Sequence, residues 1–224
     1  YTGLGMAALL PHKQLSYDEK GTVQVDGKSS SGIANRQKIL DSVKGVAVKA
    51  DEFMAMKKDE GRDFIKPYQV VYIYHNQIDQ TADTGNEEKT FDAVRTTIDE
   101  IGNLVTKIIN NLNGNYIAIT ADHGFLFQET APSETDKNAI ADKPAGTVIS
   151  KKRYLIGRDL PDNEKAYHGS TAITAGADGD MDFWVPKGAN RFHFVGGSRF
   201  IHGGAMLQEV MVPLVKVVQM KGKS

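Results

Sequence analysis

Apolar positions follow two distinct periods along this chain. In Gln69-Val70-Val71-Tyr72-Ile73-Tyr74 almost every residue is β-branched or aromatic, which predicts a central strand covered on both faces. From 88 to 112 the residues Phe91, Val94, Ile98, Ile101, Leu104, Val105, Ile108 and Leu112 recur every three or four positions, the period of an amphipathic helix. Asn113-Gly114 closes that helix. A second buried strand, Tyr116-Ile117-Ala118-Ile119-Thr120, follows and ends in Ala121-Asp122-His123-Gly124. Strand, helix, strand is a βαβ unit, so the two strands are expected to be parallel.

Weaker patterns fill in the rest. Residues 4–10 are small and apolar and read as a helix stopped by Pro11. Residues 16–27 read as a hairpin, with Thr22-Val23-Gln24-Val25 alternating and Asp26-Gly27 as the turn signal. Ser29-Ser30-Ser31-Gly32 is a connector, Asn35 to Leu40 a helix, Gly45-Val46-Ala47-Val48 a short strand, and Asp51 caps a helix through Glu60. The polar stretch 129–147 reads as a surface loop or lid, and 159–180 as a glycine-rich loop. Arg153 to Gly157, Phe183 to Pro186 and Arg191 to Val195 read as strands, the last two as a pair. Met206 to Glu209 reads as a helical turn, and Val210 to Val218 as a final strand. No internal repeat is visible.

Composition changes this picture little. A length of 224 residues suits one domain, or one domain with a large insertion. Hydrophobic residues make up 40% and charged residues 25%, which suits a globular core. The net charge of -1 provides no global field for nucleic acid or an anionic membrane. Cysteine is absent, which excludes thiolate metal sites and disulfides and fits a cytoplasmic setting. The longest apolar runs are too short to span a membrane, so no membrane partner is expected. The chain opens at Tyr1 rather than Met and trails off at Lys223-Ser224, so both ends read as cut from something longer.

Candidate chemistry gathers where the two strong strands end. One delivers His75, Asp79 and Asp83, the other Asp122 and His123. Carboxylate plus imidazole without thiolate suits zinc, manganese or a similar divalent ion. Gly124 permits the sharp turn that would let Asp122 and His123 splay toward one ion, although the tripeptide fits equally well a strand-end turn with a capping Asp. Asp79 and Asp83 are one helical turn apart, which is unfavourable without a cation between them; a solvated acidic helix start has the same pattern. His202 sits in the glycine-flexible turn His202-Gly203-Gly204. Thr2 is ahead of a small-residue helix, a position that suits an N-cap or, beside free N–H groups, a phosphate-directed nucleophile. His12, His168 and His193 have no comparable setting.

Taken together these pieces resemble the alkaline phosphatase superfamily, and within it the PglZ family of bacterial phage-defence (BREX) systems. The resemblance is carried by Tyr1-Thr2-Gly3-Leu4-Gly5-Met6-Ala7-Ala8-Leu9-Leu10-Pro11, by Tyr74-His75-Asn76-Gln77-Ile78-Asp79 with Asp83, and by His202-Gly203-Gly204 running into Leu207-Gln208-Glu209-Val210-Met211-Val212-Pro213-Leu214. Thr120-Ala121-Asp122-His123-Gly124 is shared more widely in the superfamily. The resemblance implies an α/β fold with a mostly parallel sheet flanked by helices. It implies one domain over residues 1–224, lacking the first strand, with insertions at 13–65 and 129–180.

It also implies roles. Thr2 would be the nucleophile and, with Asp122, His123 and an Asp upstream of Tyr1, would hold one of two divalent metals. Asp79, Asp83 and His202 would hold the second, with Asp83 standing where a His is usual. Zinc is expected, with manganese or magnesium as alternatives because of Asp83. Lys187, Arg191 and Arg199 lie in the stretch leading to His202 and would meet a phosphate or a nucleic-acid backbone, although each is also an ordinary surface charge. The implied activity is a metal-dependent phosphatase or phosphodiesterase in a BREX defence system, acting on a phosphorylated substrate or nucleic acid beside other BREX proteins. The alternatives are a DNA nuclease and a non-catalytic phosphatase-like interaction module.

Overall fold

In the computed structural model, residues 1–83, 87–129, 143–192 and 199–220 are described, with the side chains of Asp83, Glu87 and Glu88 excepted. Most of the expected lid at 129–147, and His193 onward in the expected strand Arg191 to Val195, lie outside the described residues. The fold is mixed α/β, and its contacts divide it into two compact units.

One unit comprises Tyr1–Ile39 and Asp122–Val212. The hairpin signal at its start is realised. Asp26 and Gly27 both take positive φ, 49° and 76°, and join Val23–Val25 to Lys28–Ser29 in antiparallel register. Leu15–Tyr17 pairs antiparallel on the other side of Val23–Val25, and Ala177–Asp178 adds a parallel edge. A second four-stranded sheet runs Ala166–Ser170, Met181–Pro186, Leu155–Arg158, Thr147–Ser150, all antiparallel. Its core is Leu155, Leu160, Ala166, Trp184 and Phe192.

Two local expectations fail here. The stretch 159–180 is not all loop: it contains strand Ala166–Ser170, helix Thr171–Ala175 and strand Ala177–Asp178. Its order comes from pairing with Met181–Pro186 and from capping, with Ser170 Oγ accepting from Ala172 N–H and Gly176 turning left-handed at φ 62°. In turn, both edges of Met181–Pro186 are filled by other strands, which leaves no ladder for the expected pairing with Arg191 and Phe192.

The other unit comprises Leu40–Ala121 and Pro213–Ser224. The long helix forms as Glu87–Leu112 and ends where Asn113 takes φ 60°. Leu112 is buried with Val48 and Phe53, and Leu104 and Ile108 pack on that cluster, whereas Ile98 on the same helix is exposed. The expected helix from Asp51 is two, Ala50–Ala55 and Lys58–Ile65, interrupted where Met56 and Lys57 turn extended. These helices form the crossover between Gly45–Lys49 and Val70–Tyr74, which pair in parallel.

The mostly parallel sheet therefore needs correcting. Among the described residues seven of nine ladders are antiparallel, and no sheet exceeds four strands. Tyr116–Thr120 pairs antiparallel with Leu214–Val218, not with Val70–Tyr74. With one ladder partner each among the described residues, Val70–Tyr74 is not the expected covered central strand and Tyr116–Thr120 is not a buried one: Tyr116–Thr120 alternates exposed and half-buried, and Val70 is exposed. β-branched richness reports fitness for a pleated surface, not the number of neighbours.

Candidate active site

Thr2 is the first residue of helix Thr2–Ala8, whose first turn is closed by Leu4 and Gly5 N–H groups donating to Tyr1 carbonyl oxygen. The helix lies directly against the Asp122 turn. A Cβ at Gly5 would collide with the Asp122 carbonyl oxygen, so only glycine allows this approach. Gly124 is equally constrained on its other side: a Cβ there would collide with the Gln208 carbonyl oxygen, and its N–H donates to Glu209 carbonyl oxygen at 2.9 Å. Asp122, His123 and Gly124 are thus clamped between the Thr2 helix and the segment that begins helix Leu207–Val210.

That clamp brings together residues 121 positions apart. Thr2 Oγ1 is 2.9 Å from His123 Nε2. His123 Nδ1 is 2.9 Å from the Gly124 carbonyl oxygen, which can only accept, so Nδ1 carries a proton. In the neutral ring Nε2 is then a lone pair, and Thr2 hydroxyl donates to it. Asp122 Oδ2 lies 3.4 Å from the same nitrogen, and the two side chains are only 11% and 8% exposed. Asp122 Oδ2 is buried and has no hydrogen-bond donor among the described residues. The His202 ring stacks flat on His123, with centroids 4.2 Å apart and an interplanar angle of 0°.

A carboxylate oxygen, an imidazole lone pair and a hydroxyl oxygen converging without a donor for the carboxylate is a costly arrangement unless a cation lies among them. The backbone carbonyl behind His123 fixes the tautomer a metal ligand needs. Thr2, Asp122 and His123 therefore fit one divalent ion. Among the described residues no group of three or more His, Asp or Glu side chains is arranged to hold a metal, so the set depends on the Thr2 hydroxyl as its third donor.

Comparison with known proteins decides the family. The family model for the BREX system PglZ alkaline phosphatase-like domain matches residues 1–217. The chain belongs to the PglZ family. It is 51% identical over 220 residues to the alkaline phosphatase-like protein BrxZ of Escherichia coli O9:H4 (strain HS), covering 97% of this chain and 25% of that protein. It is 36% identical over 228 aligned residues to the alkaline phosphatase-like protein PglZ of Bacillus cereus (strain H3081.97), covering 100% of this chain and 26% of that protein. The chain spans about a quarter of the length of these curated relatives.

In this PglZ-family chain the remaining candidates have settings of their own. Asp79 lies in the first turn of helix Gln77–Asp83, in the other unit, and the Asp83 side chain is outside the described residues. His75 is engaged by Glu100 at 2.7 Å. Lys187 is exposed, with Nζ 5.8 Å from the centre of the Tyr167 ring. Arg191 is buried, not presented at the surface, and its guanidinium donates to Gln128 Oε1. Arg199 is half-buried, its carbonyl oxygen accepting from Gln128 N–H. Among the described residues no helix is long and apolar enough to cross a membrane.

Sequence reasoning missed the support behind His202. Arg153 and Glu209 form an ion pair with fully buried side chains, at 2.9 Å through Nε and 2.5 Å through the terminal nitrogen. Arg153 also donates to the Gly188 and Asn190 carbonyl oxygens. Glu209 accepts from the Gly204 and Met206 N–H groups, so one carboxylate ties down the turn that follows His202. A Cβ at Gly203, where φ is 97°, would come within 2.5 Å of the Tyr154 ring, and one at Gly204 would collide with the Arg153 guanidinium. Tyr154 stacks on Tyr1 at 4.9 Å. The one sequence signal for this support was an Arg beside an apolar run and the run of residues after His202.

Proposed function

We propose that this chain is the phosphoryl-hydrolysing domain of a BREX defence protein, a metal-dependent phosphatase or phosphodiesterase with Thr2 as nucleophile. The observation that carries this reading is the approach of Thr2 Oγ1 to His123 Nε2 beside the donorless Asp122 Oδ2. Family membership supports it.

The residues would act as follows. Helix Thr2–Ala8, pressed on the Asp122 turn through Gly5, fixes the Thr2 oxygen. His123 Nε2 accepts the hydrogen bond from the hydroxyl in the structure and would give that same lone pair to a bound ion, leaving the hydroxyl proton free to depart. A bound divalent ion supplies positive charge that favours the alkoxide and neutralises phosphoryl oxygens. Thr2 Oγ1 would release its proton to solvent and form the bond to phosphorus as the bond to the ester oxygen breaks, and that oxygen would leave with a proton from solvent. Water then cleaves the phosphothreonine and restores the hydroxyl.

The test is metal analysis and turnover on the full-length protein, with p-nitrophenyl phosphate and bis-p-nitrophenyl phosphate as substrates. Zinc or manganese should co-purify or bind, and Thr2→Ala should lower kcat by roughly 10³-fold. Asp122→Asn should lose the metal. A wild-type protein that binds no metal and turns over neither ester would instead be a non-catalytic module. Nicking of a plasmid under the same conditions would identify a nuclease.

A further inference from the structure

A cavity of about 310 Å³ opens beside Thr2, between the start of the chain and the hairpin region that follows it. Its size is at the small end of ligand pockets. Its lining mixes apolar side chains such as Val23 and Ile149 with Thr2, Lys20, Thr22, Ser31 and Arg36, and none of its described lining residues is acidic. For a chain of net charge -1 this is a local concentration of cationic and hydroxyl groups.

The walls are held in place. Asp18 carboxylate accepts from the Lys20 and Thr22 N–H groups at 2.9 and 2.8 Å, and these bonds, Thr22 first, keep its pKa low. Gly21 turns at φ 78° and packs where a Cβ would come within 2.8 Å of Val148. Ser30 is buried and its hydroxyl donates to Val23 carbonyl oxygen at 2.8 Å. Half-buried Arg36 is anchored through Nε to the Ser30 carbonyl oxygen at 3.1 Å, which sets its charge at the cavity wall. Lys20 stands on the exposed rim, beside the Asp18 charge.

We infer that this cavity is a second-phosphate subsite: it receives an anionic phosphate of the substrate beyond the one presented to Thr2, bound by Lys20 and Arg36. The inference rests on Thr2 marking the reacting position, as proposed above. An arginine and a lysine among the lining residues suit phosphate oxygens, and the absence of lining carboxylates among the described residues removes the repulsion that would exclude a dianion. Substrates carrying two phosphates, from a nucleic-acid strand or from a nucleoside polyphosphate, share this chemistry.

The test is binding, measured by calorimetry on full-length Thr2→Ala protein in the presence of saturating zinc. The probes are thymidine 3′,5′-bisphosphate, ADP and thymidine 5′-monophosphate. At least one two-phosphate probe should bind about tenfold or more tighter than the monophosphate, a step of about 1.4 kcal/mol. Tighter binding of the bisphosphate identifies a strand as the source, and tighter binding of ADP a polyphosphate. Lys20→Ala combined with Arg36→Gln should erase the preference while leaving monophosphate binding within twofold. If that double variant is unfolded by circular dichroism, Lys20→Glu alone should weaken the two-phosphate probe about threefold or more. Equal affinity for all three probes, no binding of any, or a preference that survives the substitutions would overturn the inference. With the nucleophile removed, binding is read without turnover, so loss of the preference bears on the subsite and not on whether the protein hydrolyses esters.

Discussion

His168 shows how a single side chain sets a pH dependence in this fold. Its Nδ1 is 3.0 Å from Asp162 and its Nε2 is 3.6 Å from Asp182. The hydrogen bond to Asp162 raises its pKa, burial opposes the rise, and Asp182 adds to it. The folded value is therefore above the unfolded one, near 6.5. The stabilisation is fully present below that unfolded value and is lost as pH rises through the raised folded value. His168→Gln should flatten the decline in urea midpoint on the alkaline side of pH 6.5. The effect should be small, because Asp162 is 99% exposed and water screens it. At the same scale Gly5 and Gly124 matter for the opposite reason, since each site contact depends on a missing Cβ. Asp122-His123-Gly124 was legible as a candidate because turn chemistry is local; that Gly5 is its counterpart was not, because nothing in the sequence near residue 5 encodes a neighbour at 122.

Among the elements, the turn from His202 to helix Leu207–Val210 owes its shape to the Arg153–Glu209 pair. Both side chains are fully buried, so removing one partner leaves an uncompensated charge. Arg153→Met should cost about 3–5 kcal/mol in urea unfolding. Arg153→Met with Glu209→Gln should recover part of that loss, because the buried charge goes with it. A double variant as unstable as the sum of the single changes would show that the pair is not coupled. The elements themselves were largely readable: the long helix, the hairpin at Asp26-Gly27 and the two strong strands all form. The helix Thr171–Ala175 with its flanking strands was not, because elements of two to five residues stabilised by pairing and a cap leave little periodicity to read.

For the whole molecule, the two units have separate cores, one around Trp184 and one against the helix Glu87–Leu112. The single tryptophan and the longest helix thus report on different units. On this 224-residue chain, urea transitions followed by tryptophan fluorescence and by far-ultraviolet circular dichroism should not superimpose. Coincident curves would mean that the units unfold as one. Saturating zinc should move the fluorescence transition, since Thr2, Asp122 and His123 all belong to the Trp184 unit.

By itself the sequence determined the periodic elements, the turns, the placement of Asp122 and His123 at a strand end, and the kinship that the family match shows. These are encoded within a few residues, through side-chain spacing and the backbone freedom of glycine and asparagine. The tertiary structure alone decided that Tyr116–Thr120 pairs antiparallel with Leu214–Val218, that Arg191 is buried against Gln128 and that Arg153 meets Glu209. It also decided that Thr2 reaches His123 across 121 residues and that a basic cavity opens beside it. Such contacts close long loops, and their partners are selected by packing and by burial of charge, which no local pattern records.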